Sequence, residues 1–317
     1  MYLPIDISIV VPIYNERETI GLFYDELRAA MEGCGCTWEL VYVDDGSRDD
    51  SLALLLGLQQ RDPRITVLEL SRNWGHQPAL TAGLSVTRGE AVVLMDGDLQ
   101  DPPQVLPDLI AAWRRGAQVV IAQRTSRKES GLRKLLFSFF YRVFGYMSDF
   151  PIPPNAGIFG LLGRPAVDAI NRFSESNRYL PGLRAWIGFP TEVVYYERAA
   201  RAAGEPKQSL WRLVRYSLDA IFSFSYKPLR LSLLLGILAA SGGFLFGLLL
   251  IGCRLLGIGL FGLPVVPGYT TTIVSVIVLG GVQLICTGIL GEYIGRIYDE
   301  VKARPLFLIR TVHKPEV

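Results

Sequence analysis

Three acids fall close together in Asp96-Gly97-Asp98-Leu99-Gln100-Asp101, directly after the apolar run Val92-Val93-Leu94-Met95. A short apolar run of this kind reads as a buried strand. Carboxylates that spill from a strand end are costly unless positive charge meets them. Asp-x-Asp at such an end, with Gly97 permitting a tight bend, suits one hard divalent cation bound through oxygen. Mg²⁺ takes one or two carboxylates and fills its other positions with phosphate oxygens and water. The motif therefore points to chemistry on a phosphate or diphosphate. The acids also suit caps for a helix starting at Asp101-Pro102, and the motif alone leaves both readings open.

Two further apolar runs end in acids. Ile7 to Ile13 leads into Tyr14-Asn15-Glu16, and Trp38 to Val43 leads into Asp44-Asp45-Gly46-Ser47. One acid at a strand end is explained by a helix N-cap; acids at three strand ends are harder to explain that way. Carboxylates so placed accept hydrogen bonds from ribose hydroxyls or a base N–H, and hold the metal that neutralises a diphosphate.

The elements that must position these residues follow from periodicity. Apolar, β-branched runs predict strands at Ile7–Ile13, Trp38–Val43, Ile65–Leu70, Ala91–Met95 and Val119–Ala122. Helical patterns between them cover Thr19–Met31, Asp49–Gln60, Gln77–Thr87 and Pro103–Arg115. Alternating strands and helices with short connections give a doubly wound parallel sheet. Such sheets bind ligands beyond the carboxyl ends of their strands, where every polar motif above falls.

After Arg124 the pattern changes. Arg124, Arg127, Lys128, Arg133 and Lys134 form a basic cluster, followed by helical segments to Tyr146 and a break at Ile152-Pro153-Pro154-Asn155. Ala166–Phe173 reads as a helix, Thr191–Tyr196 as a strand, and Arg198–Lys207 as a polar loop. In Ser209–Ser225, Leu210, Val214, Leu218 and Phe222 share one face, with Arg212 and Arg215 elsewhere, which reads as an interfacial helix.

The chain has 317 residues, enough for one sizeable α/β domain and an appendage, and a net charge of +2, which gives no bulk electrostatic case for nucleic acid. Mean hydropathy is +0.29, high for a soluble protein. The excess lies in the last third. No charged residue occurs from Leu231 to Cys253 or from Leu255 to Gly291. These stretches hold two candidate membrane spans, 231–253 and 270–291, joined by the Gly/Pro-rich Gly257–Gly268. Lys227 and Arg230 precede the hairpin, Arg296, Lys302 and Arg304 follow it, and the connection carries only Arg254. The positive-inside rule then puts both ends, and the large N-terminal region, in the cytoplasm. The N-terminus lacks a signal-peptide pattern. The domain reading is 1–208, a cytoplasmic domain that the resemblance described next makes nucleotide-sugar-binding and catalytic; 209–230, interfacial; 231–291, hairpin; 292–317, a charged helix to Lys302 and an extended tail at Leu306–Val312. Cys34, Cys36, Cys253 and Cys286 read as reduced and structural.

Val10-Val11-Pro12-Ile13-Tyr14-Asn15-Glu16, Asp44-Asp45-Gly46-Ser47 and Asp96 to Pro103 resemble the signatures of family 2 glycosyltransferases. The resemblance is to the polyprenyl-phosphate branch, on Ser71-Arg72-Asn73-Trp74-Gly75-His76-Gln77, on Ala79-Leu80-Thr81-Ala82-Gly83 and on the C-terminal hairpin. It covers nearly the whole chain. It implies an A-type glycosyltransferase domain, α/β and Rossmann-like with a mostly parallel sheet, followed by amphipathic interfacial helices and a two-helix transmembrane hairpin. Pro12, Tyr14, Glu16 and Asp45 would hold the nucleoside. Asp96 and Asp98, with Gln100, would hold Mg²⁺ or Mn²⁺ on the diphosphate. Arg124 would stabilise phosphate charge, and Arg201 and Lys207 would grip a phosphate of donor or lipid. His76 is read as ordering its loop, and Trp186 and Trp211 as packing or interfacial anchors.

The activity implied is inverting transfer of a hexose, from a nucleotide sugar such as a UDP-hexose, to polyprenyl (undecaprenyl) phosphate. It would occur at the cytoplasmic face of a bacterial inner membrane, by a homo-oligomer whose tail adds a strand to a neighbour. One departure stands out. Many relatives carry Gly-Asp-Phe-Arg-Leu where this chain has Gly157-Ile158-Phe159-Gly160-Leu161, so Ile158 replaces an acid and Gly160 an arginine. The acceptor, a phosphate monoester with a second pKa near ~6, is mostly dianionic at neutral pH and needs no base. The alternative is a non-catalytic membrane partner that binds nucleotide sugar or escorts a lipid-handling complex. A processive polysaccharide synthase is disfavoured, because the chain lacks a Gln-x-x-Arg-Trp motif.

Overall fold

The computed structural model describes residues 4–125, 156–175, 178–197, 227–256 and 269–314. Arg127, Lys128, Arg133, Lys134, Arg198, Arg201, Lys207, Trp211 and the amphipathic 209–225 segment lie outside the described residues. The described residues fall into two compact units. One holds 4–125, 156–175, 178–197 and 303–314; the other holds 227–256 and 269–302.

The first unit is an eight-stranded sheet in the order β7-β5-β6-β4-β1-β2-β3-β8. Six strands run one way: β1 (Ile7–Ile13), β2 (Trp38–Asp44), β3 (Ile65–Leu70), β4 (Ala91–Leu94), β5 (Val119–Arg124) and β7 (Thr191–Tyr196). β6 (Ala156–Gly163) and β8 (Ile309–His313) run against them. The helices of this unit are α1 (Ile20–Glu32), α2 (Ser51–Arg61), α3 (His76–Val86), α4 (Leu106–Arg114), α5 (Arg164–Asn171) and α6 (Leu180–Trp186).

The central strands are apolar along their whole length because both faces are covered. In β1, Ile7, Ile9, Val11 and Ile13 pack with Phe23 and Leu27 of α1 and Leu106, Leu109 and Ile110 of α4. The intervening positions face the opposite layer, where α3 packs on β1 and β2. Each buried aliphatic side chain contributes roughly 1.5–3 kcal/mol. Pro12 interrupts no ladder. The carbonyls of Val10 and Ile13 accept from Met95 and Asp45 respectively, so residues 10 and 12 face β4. The β4 pairing ends at Val10–Leu94, so the missing N–H of Pro12 faces a ladder already finished.

At the amino ends of the strands the polar groups close on one another. Glu39 accepts from Ser8 Oγ at 2.6 Å and from Arg88 Nη2 at 2.7 Å, and Gly89 N–H donates to Ser8 Oγ. This end is self-satisfied. The carboxyl ends carry the open chemistry.

Several sequence expectations shift. The helix expected from Pro103 begins as a 3₁₀ turn, Pro103–Val105, and becomes α-helical at Leu106. Proline at position 165 moves the α5 start forward to Arg164. β6 escapes the sequence pattern because Gly157, Gly160 and Gly163 dilute its β signal, and α6 because it is only seven residues long. The charged helix after the second apolar stretch is not separate: α8 runs unbroken over Tyr269–Val301. The tail does form a strand, but β8 pairs with the chain's own β3, with Leu68 opposite Val312 and Glu69 opposite Thr311, rather than with a neighbour.

In the second unit, α7 (Lys227–Leu255) packs on α8, and Cys286 Sγ donates to Ser232 O at 3.4 Å. Both helices are long and apolar enough to cross a membrane. Leu233, Phe244 and Leu284 are among their exposed side chains.

At the carboxyl edge of the first unit, Gly46 adopts φ +70°, and a Cβ there would stand 2.6 Å from Arg72 C and 2.7 Å from Asn73 N. The β2–α2 and β3–α3 loops thus meet backbone to backbone. Gly46→Ala is expected to part these loops and destabilise the fold by about 1–3 kcal/mol. A thermal unfolding scan of the purified chain checks this, and an unchanged Tm would refute so close a contact.

Candidate active site

The site is built from loops at the carboxyl ends of β1, β2, β3, β4, β5 and β7. The loop after β1 is locked to the loop after β2. Asn15, at φ 54°, donates its N–H to Ser47 Oγ at 3.1 Å and accepts Arg48 N–H on Oδ1 at 2.8 Å. Asparagine is among the few side chains that adopt this conformation readily. Glu16 N–H donates to Ser51 Oγ at 3.0 Å. Tyr14 projects outward, 41% exposed, and Pro12 and Glu16 are half-buried beside it.

Asp45 is turned inward. Its two oxygens accept the backbone N–H groups of Trp74 (2.7 Å) and Gly75 (2.9 Å), which fixes the β3–α3 loop. Burial raises the pKa of Asp45, partly offset by these two donors. Its neighbour Asp44 is held the same way by burial and by the Ser47 backbone N–H. The same β3–α3 loop is closed from within by Trp74 Nε1 donating to Ser71 Oγ, and Arg72 stacks over the Trp74 ring at 3.9 Å.

The fixed loop delivers His76, the first residue of α3, to the acidic motif. His76 Nε2 lies 2.7 Å from Asp96 Oδ1, and both side chains are half exposed. Desolvation alone would lower the His76 pKa; the hydrogen bond and charge of Asp96, with Asp45 and Asp98 behind it, more than offset this and raise it. Asp98 Oδ1 accepts the N–H of Gln100 at 3.1 Å, a local turn, and Asp98 is partly exposed. Gln100 itself is buried. The N-cap positions of the 3₁₀ turn and of α4 are Pro102 and Val105, so neither is occupied by one of these acids.

Asp101 behaves differently. It is buried, with Tyr196 OH donating to Oδ1 and Arg124 Nη2 at 3.4 Å. Arg124 Nε also donates to Tyr196 OH at 3.0 Å. The triad joins the ends of β5 and β7 to the acidic loop. Burial lowers the Arg124 pKa, but Tyr196, Asp101 and Asp96 outweigh it, so the guanidinium stays charged. Tyr196 is raised by burial and then by Asp101, so its hydroxyl keeps its proton and donates it. Tyr196 and the role of Asp101 were missed from sequence. Tyr196 ends a strand that was expected, so the rule that picked out the acids would have found it.

Asp96 and Asp98 are the candidates at this edge for a divalent cation. Asp96 and Asp98 both reach the open edge, and no group of three His, Cys, Asp or Glu side chains converges among the described residues. The protein would therefore supply two carboxylates and leave the remaining positions to substrate oxygens and water, the pattern usual for Mg²⁺ on a phosphate.

Ile158 lies on β6 beyond the last β4 rung, Leu94–Gly160, and so at the same edge. Another element reaches it. Arg184 of α6 is buried and donates to Gly157 O at 3.0 Å and to Ile158 O at 3.4 Å. Nothing in the sequence marked this residue.

Residues 8–169 match the family described as glycosyl transferase family 2. The chain is 42% identical over 309 residues to the SfII prophage-derived bactoprenol glucosyl transferase of Shigella flexneri, covering 97% of this chain and 98% of that one. It is 40% identical to the prophage bactoprenol glucosyl transferase homolog of Escherichia coli K12, covering 97% and 99%. It is also 40% identical to the uncharacterized glycosyltransferase YkcC of Bacillus subtilis 168, covering 96% and 94%. A mostly parallel sheet with two part-exposed aspartates just after β4, and likeness of this extent, place the chain in glycosyl transferase family 2, within the branch that contains the bactoprenol glucosyl transferases.

Proposed function

We propose that this protein transfers a hexose from a UDP-sugar to a polyprenyl phosphate at the cytoplasmic face of a membrane. The observation that carries the reading is the pair of half-exposed carboxylates, Asp96 and Asp98, at the carboxyl edge of the sheet beside the charged Arg124. Near full-length likeness to enzymes named bactoprenol glucosyl transferase supports the lipid acceptor.

In the proposed reaction a phosphate oxygen of the acceptor attacks the anomeric carbon. The new C–O bond forms as the bond to the diphosphate breaks, and the electron pair leaves with UDP. One displacement inverts the anomeric centre. The dianionic acceptor needs no proton removed, which accommodates Ile158 in place of an acid. Positioning and relief of charge repulsion carry the barrier. Asp96 and Asp98, with Gln100 beside them, would hold Mg²⁺ or Mn²⁺, which would supply charge neutralisation on the leaving diphosphate. Tyr14, Glu16 and Pro12 line the adjoining edge where the nucleoside would sit. Asp45 supports that edge by ordering the β3–α3 loop, and each of its oxygens retains a second acceptor position for the nucleoside. Arg201 and Lys207, in the polar loop, are proposed to grip phosphate. α7 and α8 would span the bilayer as a hairpin and tether the protein to the membrane that carries the lipid acceptor.

The deciding experiment is a mass spectrum of the lipid product from undecaprenyl phosphate and a mixture of UDP- and GDP-sugars with purified protein. A hexosyl-phosphoryl lipid is expected from a UDP-hexose. Failure with every donor refutes the reading. Asp98→Ala is expected to reduce turnover at least ~10²-fold, and EDTA to abolish it until Mg²⁺ or Mn²⁺ is restored. UDP bound equally well without metal, with no transfer, would instead favour a non-catalytic nucleotide-sugar binder. For orientation, protease added to sealed inside-out membrane vesicles is expected to remove the N-terminal unit, and protection there would reverse the topology.

A further inference from the structure

Arg184 is a buried cation to which the mechanism above assigns no role. Its side chain comes from α6 and lies against the amino end of β6, at the active edge. Two of its nitrogens bond to carbonyls, those of Gly157 and Ile158, while Nε is buried without a partner. Among the described residues no carboxylate pairs with it. Burial lowers its pKa to about 10, so it remains charged at neutral pH.

The position is made by an absence on β6. Residues 158 and 160 lie on one face of the strand, opposite the buried Phe159 and Leu161. A Cβ on Gly160 would stand 3.1 Å from Arg184 Nη1 and 2.4 Å from Val120 O. Only a glycine lets β6 close on β5 and leaves room for a guanidinium arriving from α6. The cation on this face is delivered from α6 and not from the strand itself.

The charge balance follows. Gly157 lies between two guanidiniums. Arg184 bonds to its carbonyl, and Arg124 Nη2 is 3.6 Å from its Cβ position. Arg124 is met by Asp101. Among the described residues Arg184 meets two carbonyl dipoles and the influence of Tyr179, and no carboxylate. The β6 edge therefore carries one unneutralised positive charge in a poorly solvated place, where its field on a nearby anion is strong.

We propose that Arg184 is a positioning residue for the acceptor: its fixed charge, acting through the Gly157–Ile158 edge, holds the acceptor's phosphate monoester beside Arg124. This rests on the transfer reaction proposed above. The donor diphosphate, on the Asp96–Asp98 side, is not its target.

The test uses the full-length protein in detergent, with undecaprenyl phosphate and UDP-glucose varied separately. Arg184→Met is expected to raise the KM for undecaprenyl phosphate roughly tenfold while changing the KM for UDP-glucose less than about twofold. Arg184→Lys, which keeps the charge but loses the paired hydrogen bonds, is expected to recover most of the loss. Ile158→Asp leaves Arg184 intact and supplies the missing counter-charge; it is expected to weaken acceptor binding in the same direction, which keeps the test open should Arg184→Met fail to fold. Equal impairment by Met and Lys would reduce Arg184 to a brace for the backbone and overturn the proposal. So would an equal rise in both KM values, or tighter acceptor binding in Ile158→Asp. A thermal-shift arm without donor compares undecaprenyl phosphate with undecaprenol. Stabilisation by the phosphate alone, lost in Arg184→Met, supports the role even if the sugar donor has been misassigned, whereas absence of transfer in the wild type refutes only the reaction.

Discussion

A single buried carboxylate organises the active edge. Asp45 is almost fully buried, and both of its oxygens are engaged by backbone N–H groups of a loop 29 and 30 residues away. Such charge-assisted bonds to backbone are among the stronger ones available to a loop, and leaving their donors unpaired in a buried place would be costly. The consequence reaches further than Asp45. The loop it fixes ends in His76, and His76 meets Asp96. The edge that would receive the nucleoside and the edge that would receive the diphosphate are thereby set by the same contact. The close backbone approach at Gly46 makes the arrangement stiff.

The acidic motif divides its labour according to what surrounds each carboxylate. Asp101 is consumed: buried, it holds Arg124 and Tyr196 and ties β5 and β7 to the loop. Asp96 and Asp98 stay at the mouth. Arg124 is kept charged by the first group and lies within the field of the second. A cation bound between Asp96 and Asp98 would compete with His76 for Asp96, the carboxylate whose hydrogen bond and charge raise the His76 pKa. On the other flank, Gly160 leaves room for the guanidinium that Arg184 brings from α6.

The C-terminal segment takes part in both units. α7 and α8 expose rows of large aliphatic side chains, an arrangement costly in water and natural in hydrocarbon. The chain then returns to the sheet, where β8 covers the edge of β3 and Arg310 bridges Glu69 and Ser71 O. An open strand edge is a site for unwanted pairing, and here the tail closes it.

Much of this was legible in the order of residues. Strand and helix repeats are local properties, so the first five strands and four helices of the α/β unit, the two long apolar helices and the placing of acids at strand ends all follow from short stretches of chain. β6 and α6 did not, because glycines blur a strand pattern and seven residues barely make a helical one. What the sequence could not decide was which polar residues stay open to substrate. That depends on partners distant along the chain: Asp101 is claimed by Tyr196, 95 residues away, and Asp45 by Trp74 and Gly75. Arg184 looked ordinary until α6 carried it beneath β6. The type of a side chain is written locally, but its solvation and its counter-charge are set by whatever the fold packs beside it, and only the tertiary structure supplies that neighbour.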